Sequence, residues 1–134
     1  MGDKLIDGAE VLFRQVHPRF YENGVPSSQP FKPTDKDQNL LSVDRSSIVS
    51  AEDAHVNYVN GGFQSSAVFG LTVAEFGYEA IDCHSSPLDG TNGVPKNPAH
   101  SHADYSPHTS SRQKNIAKRL KIRALARGQL HPPK

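Results

Sequence analysis

The stretch SAVFGLTVAEF, residues 66–76, is nearly continuously apolar in a chain that is only 35% hydrophobic. With so few apolar residues available, this run has to lie inside. Its β-branched and aromatic content predicts the central strand of a sheet. YEAIDCH, residues 78–84, alternates in polarity and follows closely enough to be its hairpin or edge partner. Upstream, EVLFRQVHP at residues 10–18 reads as a strand ended by Pro18. Val11, Phe13 and Gln15 face one way on it, and Arg14 falls among Leu12 and Val16 on the other face. NLLSVDR, residues 39–45, is a second, shorter strand.

Ten Gly and ten Pro punctuate the rest and predict short elements joined by substantial loops. Residues 19–39 have no period and read as one long irregular excursion, pinned by Phe20, Tyr21 and Phe31. Ser50 opens a helix, with Asp53 in the acid position of a capping box. That helix runs to about Val59 and stops at Gly61 and Gly62. Residues 85–98 form a loop rich in turn signals. The last helix starts near Ser110 or Ser111, reaches Arg127 and stops at Gly128. The sum is one α+β domain over residues 1–134, with a small mixed or antiparallel sheet, a short middle helix and a basic C-terminal helix. Two such helices cannot cover both faces of a sheet, so one face stays open or serves association.

No apolar run approaches the roughly 20 residues that cross a bilayer. The start, MGDKLIDGAE, lacks the apolar core of a signal peptide. The single cysteine, Cys83, excludes an internal disulfide. These features predict a soluble cytoplasmic protein. Charge is laid out unevenly: residues 1–111 carry seven Lys/Arg against fourteen Asp/Glu, a net of −7, whereas residues 112–134 carry eight Lys/Arg and no acid, a net of +8. The basic end either folds onto its own acidic body or is offered to a polyanion or an acidic partner. Its candidate contacts are Arg112, Lys114, Lys118, Arg119, Lys121 and Arg123. They flank an apolar stripe of Ile116, Ala117, Leu120 and Ala124, with Ile122 and Leu125 outside it. The helix lacks aromatic or base-reading side chains, so another protein is the first partner expected and nucleic acid the second.

Chemistry-bearing residues gather in NPAHSHADYSPH, residues 97–108. If extended, it places His100, His102 and Asp104 on one face and Ala99, Ser101, Ala103 and Tyr105 on the inward one. His-x-His is a usable ligand spacing, and His84 or His108 could add a donor. Two histidines and one carboxylate give at most three ligands, whereas closed structural sites want four, so no high-affinity metal site is expected. Cys83 and His84, adjacent on a strand, point to opposite faces and cannot form a nucleophile–base pair. A buried inert thiol is the expectation for Cys83. Arg14, with His17 at the end of its strand, could meet Glu75 at a shared sheet edge. A structural Arg–Glu pair is favoured there over catalysis.

Taken together, LFRQVHPRF, SSQPFKPTDKDQNLLSVDR, SAEDA, VFGLTVAE and NPAH, followed by a basic helix, resemble a family of small uncharacterised bacterial proteins over nearly the full chain. That resemblance implies a bacterial cytoplasmic origin and names no activity or cofactor. In element order the chain is also similar to RES-type, ADP-ribosyltransferase-like toxins, whose arginine, small polar residue and acid would match Arg14, Ser42 and Glu75. Their glycine- and tryptophan-rich stretch has no counterpart in a chain without Trp. The leading expectation is a small binding module within a multiprotein system, with defence or toxin systems as the setting. The rivals are a small enzyme acting on NAD or a nucleotide through Arg14, His17, Ser42 and Glu75, and a metal-assisted hydrolase.

Overall fold

Polar–apolar alternation in the β-rich segments becomes a five-stranded antiparallel sheet in the computed structural model, which describes residues 2–91 and 93–134. Met1, and Asn92 within the expected turn-rich loop, lie outside the described residues. The strands are β1 (Val11–Val16), β4 (Leu40–Arg45), β5 (Ala67–Thr72), β6 (Asp82–Ser85) and β7 (His100–Asp104), in the spatial order β5-β1-β4-β7-β6. A separate two-stranded hairpin joins β2 (Tyr21–Glu22) to β3 (Val25–Pro26). The helices are α1 (Ala51–Asn60), the single-turn α2 (Val73–Gly77) and α3 (Ser110–Arg127). The fold is α+β, with a short middle helix and a basic C-terminal one.

The apolar run at 66–76 is corrected in two respects. It forms an edge strand, β5, rather than a central one, and it ends at Thr72. Thr72 Oγ1 accepts from Glu75 N, and Glu75 accepts from Thr72 N, a capping box that turns the chain into α2. The run is apolar because it is covered from three sides. Phe69 and Leu71 join the core under α3, while Val68 packs with Phe13 and Ala54 under α1. Its outer edge is paired by residues 130–131: Val68 N donates to His131 O (2.7 Å) and Leu130 N to Val68 O (2.9 Å). Gly70 makes room for that cover, since a Cβ there would stand 2.7 Å from Leu130 Cδ1 and from Val11 Cγ1.

Residues 78–84 do not pair with β5. α2 packs against both β5 and β6, and β6 joins β7 at the opposite edge of the sheet. A capping box after β5 replaces the two-residue turn that a hairpin requires. The outer edge of β6 is covered in turn by residues 3–5, through Leu5 N to Cys83 O and Ser85 N to Asp3 O, both 2.8 Å. Both sheet edges are therefore sealed by flanking chain.

The excursion at 19–39 is more ordered than expected. Asn23 and Gly24, with φ of 53° and 79°, make the two-residue turn of the β2–β3 hairpin. Three single 3₁₀ turns follow the chain at Pro18–Phe20, Gln29–Phe31 and Asp35–Asp37. Phe31 is fully buried, and its carbonyl accepts the Tyr105 hydroxyl at 2.6 Å.

The other elements follow their sequence signals. Ser50 Oγ caps α1 through Asp53 N at 3.1 Å, although only Ala54 of that helix is buried. Thr109 caps α3. Ile116, Ala117, Leu120 and Ala124 are buried against the sheet as expected, while Ile122 and Leu125 remain exposed. Fully burying one such large aliphatic side chain contributes about 1.5–3 kcal/mol, so the stripe is the main anchor of α3, and the ion pairs Arg119–Glu79 and Arg127–Glu75 add to it.

Candidate functional site

Alternation along β4, β7 and β6 puts one residue in two on the sheet face opposite α3. The ladders align them in rows: Asp44 with His100, Ser42 with His102 and His84, and Leu40 with Asp104 and Asp82. α1 reaches only the β1–β5 half of this face. The rows are therefore left uncovered, and His100, His102, Asp104, His84 and Asp44 are half-buried while Ser42 is exposed. The inward partners Ala99, Ser101, Ala103 and Tyr105 are buried.

His100 is oriented at both ring nitrogens. Its Nδ1 lies 2.8 Å from the Ser86 carbonyl, which can only accept, so Nδ1 carries the hydrogen. In the neutral ring, Nε2 is then an acceptor, and Ser42 Oγ stands 3.2 Å from it. A hydroxyl donating to an oriented imidazole is the arrangement that activates a serine. The His102 ring meets His100 edge to face at 4.7 Å. Burial and the neighbouring His100 charge hold the His102 pKa below the ordinary imidazole value. Asp44 accepts from Asn97 Nδ2 at 2.8 Å, and burial raises its pKa. Among the described residues no group of three or more His, Cys, Asp or Glu is placed to hold a metal ion.

Arg14 sits between Leu12 and Val16 on the α3 side of the sheet, and it does not meet Glu75. β1 and β4 pair only at Leu12↔Arg45 and Phe13↔Asp44. Beyond that register the guanidinium takes over, with Nη1 donating to Ser42 O at 3.2 Å and Nε to Pro30 O at 2.6 Å. Arg14 thus fastens the backbone of Ser42, whose hydroxyl faces His100. Burial lowers the Arg14 pKa from its ordinary value, yet the group remains a cation. Glu75 instead pairs with Arg127 at 2.7 Å while capping α2. Burial opposes its charge, but Arg127 and Thr72 outweigh that and hold its pKa low. His17 Nδ1 accepts from Arg19 N at 3.0 Å. Glu75 follows the Val11 end of the β1–β5 ladder and His17 the Val16 end, so the two lie at opposite ends of one strand. Of the four residues Arg14, His17, Ser42 and Glu75, the structure brings together only Arg14 and Ser42. His100, their actual neighbour, has a sequence context that offers it as a weak metal-ligand candidate or a hydrogen-bonding group on the outer face, and nothing there pairs it with Ser42.

The basic helix α3 has two shoulders, because 100° per residue separates its side chains into stripes. Arg112, Arg119 and Arg123 share one shoulder, where Arg119 pairs with Glu79 at 2.7 Å and Arg123 lies 5.1 Å over the Tyr78 ring. Lys114, Lys118 and Lys121 share the other and form no ion pair among the described residues. Ile122 (67% exposed) and Leu125 (37%) lie beside the lysines. Cys83 is buried on the α3 side, and that burial, with the Asp82 charge, pushes its thiol up to about 12. Burial of this kind disfavours the thiolate that a nucleophile needs. No helix is long and apolar enough to cross a membrane among the described residues. Comparison with family models, with curated proteins and with solved structures finds no match for this chain.

Proposed function

We propose that the protein is a binding module of a multiprotein assembly in the bacterial cytoplasm, and that an acidic protein partner docks on the lysine shoulder of α3. One observation carries this reading. Lys114, Lys118 and Lys121 line a helix that is anchored in cis by its apolar stripe, and among the described residues no carboxylate forms an ion pair with them. Exposed Ile122 and Leu125 beside those lysines add apolar area to the charged patch, a composition that suits a protein contact more than a phosphate track. The test titrates the protein at low salt with an acidic amphipathic peptide and with a single-stranded nucleic acid of equal charge. The peptide should bind more tightly, lose affinity with salt, and be lost when all three lysines become Gln. Tighter nucleic-acid binding, or peptide binding indifferent to the lysines, overturns the reading.

A second reading draws on the Ser42–His100 contact: an ester hydrolase in which Ser42 attacks the ester carbonyl, His100 takes its proton and passes it to the departing alcohol, and water then releases the acyl group from Ser42. A fluorophosphonate probe that labels Ser42, and no longer does so in His100→Ala, would support it. An unlabelled Ser42 would leave the polar face without this chemistry.

A further inference from the structure

The lysine shoulder of α3 runs into a groove. Lys114, Lys118, Lys121 and Leu125 follow one another at helical spacing and form one stripe along the helix. At Lys121 the β2–β3 hairpin stands beside that stripe, and the two border a cavity of about 440 Å³. Its walls include Arg19, Phe20, Tyr21, Val25, Pro26 and Lys121.

Two kinds of surface meet there. Phe20 and Tyr21 pack on the main core but stay half-buried, and Val25 is 44% exposed, so apolar surface remains open to an occupant. The rest of the wall is cationic. Arg19 and Lys121 form no ion pair among the described residues, and Arg19 lies 5.7 Å over the Phe20 ring. Glu22 is the one carboxylate on the wall, so two cations against one acid leave it at +1.

The hairpin is also fixed in place before a partner arrives. Its turn is set by Asn23 and Gly24, and Ser27 N donates to Phe20 O at 2.8 Å. The Tyr21 hydroxyl donates to the Gln129 side chain, and Lys134 Nζ donates to Gly24 O at 2.6 Å. The segment after α3 thus straps the hairpin to the helix, and a preformed groove spares a ligand the cost of ordering it.

We propose that this groove receives an apolar anchor residue of the acidic partner that docks on the lysine shoulder. The inference rests on that docking reading and adds what the partner carries beside its charge. A rise of about 1.5 Å per residue separates Lys114 from Lys121 by about 10 Å along the axis. An extended chain advances about 3.3 Å per residue, so roughly three acidic residues cover the lysines and the next one reaches the groove. There an aromatic or large aliphatic side chain lies against Phe20, Tyr21 and Val25. The charges steer the encounter, and the anchor supplies the affinity and the choice of partner.

The test is calorimetric titration of the full chain, at low salt, with two capped peptides that differ at one position. Each has a run of glutamates on both sides of its centre, which is phenylalanine in one and alanine in the other. The phenylalanine peptide should bind about tenfold more tightly, as burial of an aromatic ring predicts. Val25→Gln, at an exposed position, should abolish that ratio without changing the melting temperature or the affinity for the alanine peptide. Replacing Lys114 and Lys118 together by Gln should weaken both peptides by the same factor and preserve the ratio. Equal affinity for the two peptides overturns the groove and leaves the lysine dock standing. A preference that survives Val25→Gln overturns it as well. If neither peptide binds, the docking reading fails and the groove proposal falls with it. Concentration-dependent self-association in sedimentation, abolished by Val25→Gln, would assign the groove to a second copy of the chain and overturn the proposal.

Discussion

The two halves of the sheet are built from the same kind of strand and end in opposite states. In the β5–β1 half both faces and the outer edge are covered: Phe69 and Leu71 lie under α3, Phe13 and Val68 under α1, and residues 130–131 lie along the edge. In the β4–β7–β6 half, one face joins the core through Leu41, Val43, Cys83 and Ala103, and the other carries Ser42, His100, His102 and His84 in open rows. A strand buried on both faces spends its whole sequence on packing, whereas a strand covered on one face has every second position free for chemistry. The covered half should therefore answer for stability and the open half for recognition.

Deleting residues 112–134 is the severest test of that division. It removes the Ile116, Ala117, Leu120 and Ala124 stripe together with the edge cover on β5. Circular dichroism melting should lose its cooperative transition. An unchanged melt would show that α3 is an appendage and that the covered half stands without it.

Phe69→Ala, in β5, comes next. A fully buried phenylalanine leaves a cavity, and the loss should be about 3–5 kcal/mol by urea unfolding. A loss below about 1 kcal/mol would mean that the covered half repacks freely.

Glu10, buried beside β1, tests the polar seam between β1 and β4. Arg45 Nη2 donates to it at 2.9 Å and Ser47 Oγ at 2.6 Å. Burial opposes its charge, but the bonds from Arg45 and Ser47 outweigh that and hold its pKa below the ordinary carboxylate value. The stability it contributes is thus complete above the unfolded value of about 4.3 and is lost as pH falls through its lower folded value. Glu10→Gln should cost about 1–3 kcal/mol at neutral pH and flatten the acid limb of the stability profile. An acid limb of unchanged slope would assign it to other carboxylates, with Glu75 and Glu79, both lowered by arginine partners, first among them.

Ser42→Ala and His102→Ala, on the open rows, should each stay within about 0.5 kcal/mol of the parent in the same assay. A loss above about 1 kcal/mol for either would make the open face a structural seam and erase the contrast between the halves.

The covered half was the easier to read locally and the harder to place. Continuous apolarity at 66–76 announced burial, but burial does not distinguish a central strand from an edge strand whose edge is sealed by residues far along the chain. The open half was legible through alternation: His100, His102 and Asp104 were placed on one face, and Ala99, Ala103 and Tyr105 on the other, by the period of two alone. The Ser42–His100 contact was not legible, since the two are 58 residues apart and meet only because β4 and β7 are neighbours. The hairpin at Asn23-Gly24 carries a turn signal in its Asn-Gly pair, but its two strands are only two residues each and lie among Pro and Ser residues, so no alternation marks them.

What the amino-acid sequence determined by itself is local: where strands alternate, that Ser50 would cap a helix, that Gly128 would end another, and which stripe of α3 would be apolar. Those outcomes depend on dihedral preferences and hydrogen bonds within a few residues, and these are nearly the same in any fold. Strand order, the face left open, the partners of Arg14 and Glu75, and the groove between Lys121 and the β2–β3 hairpin were decided only by the tertiary structure. Each depends on which surfaces remain uncovered after all elements compete for burial, a balance that no single segment contains.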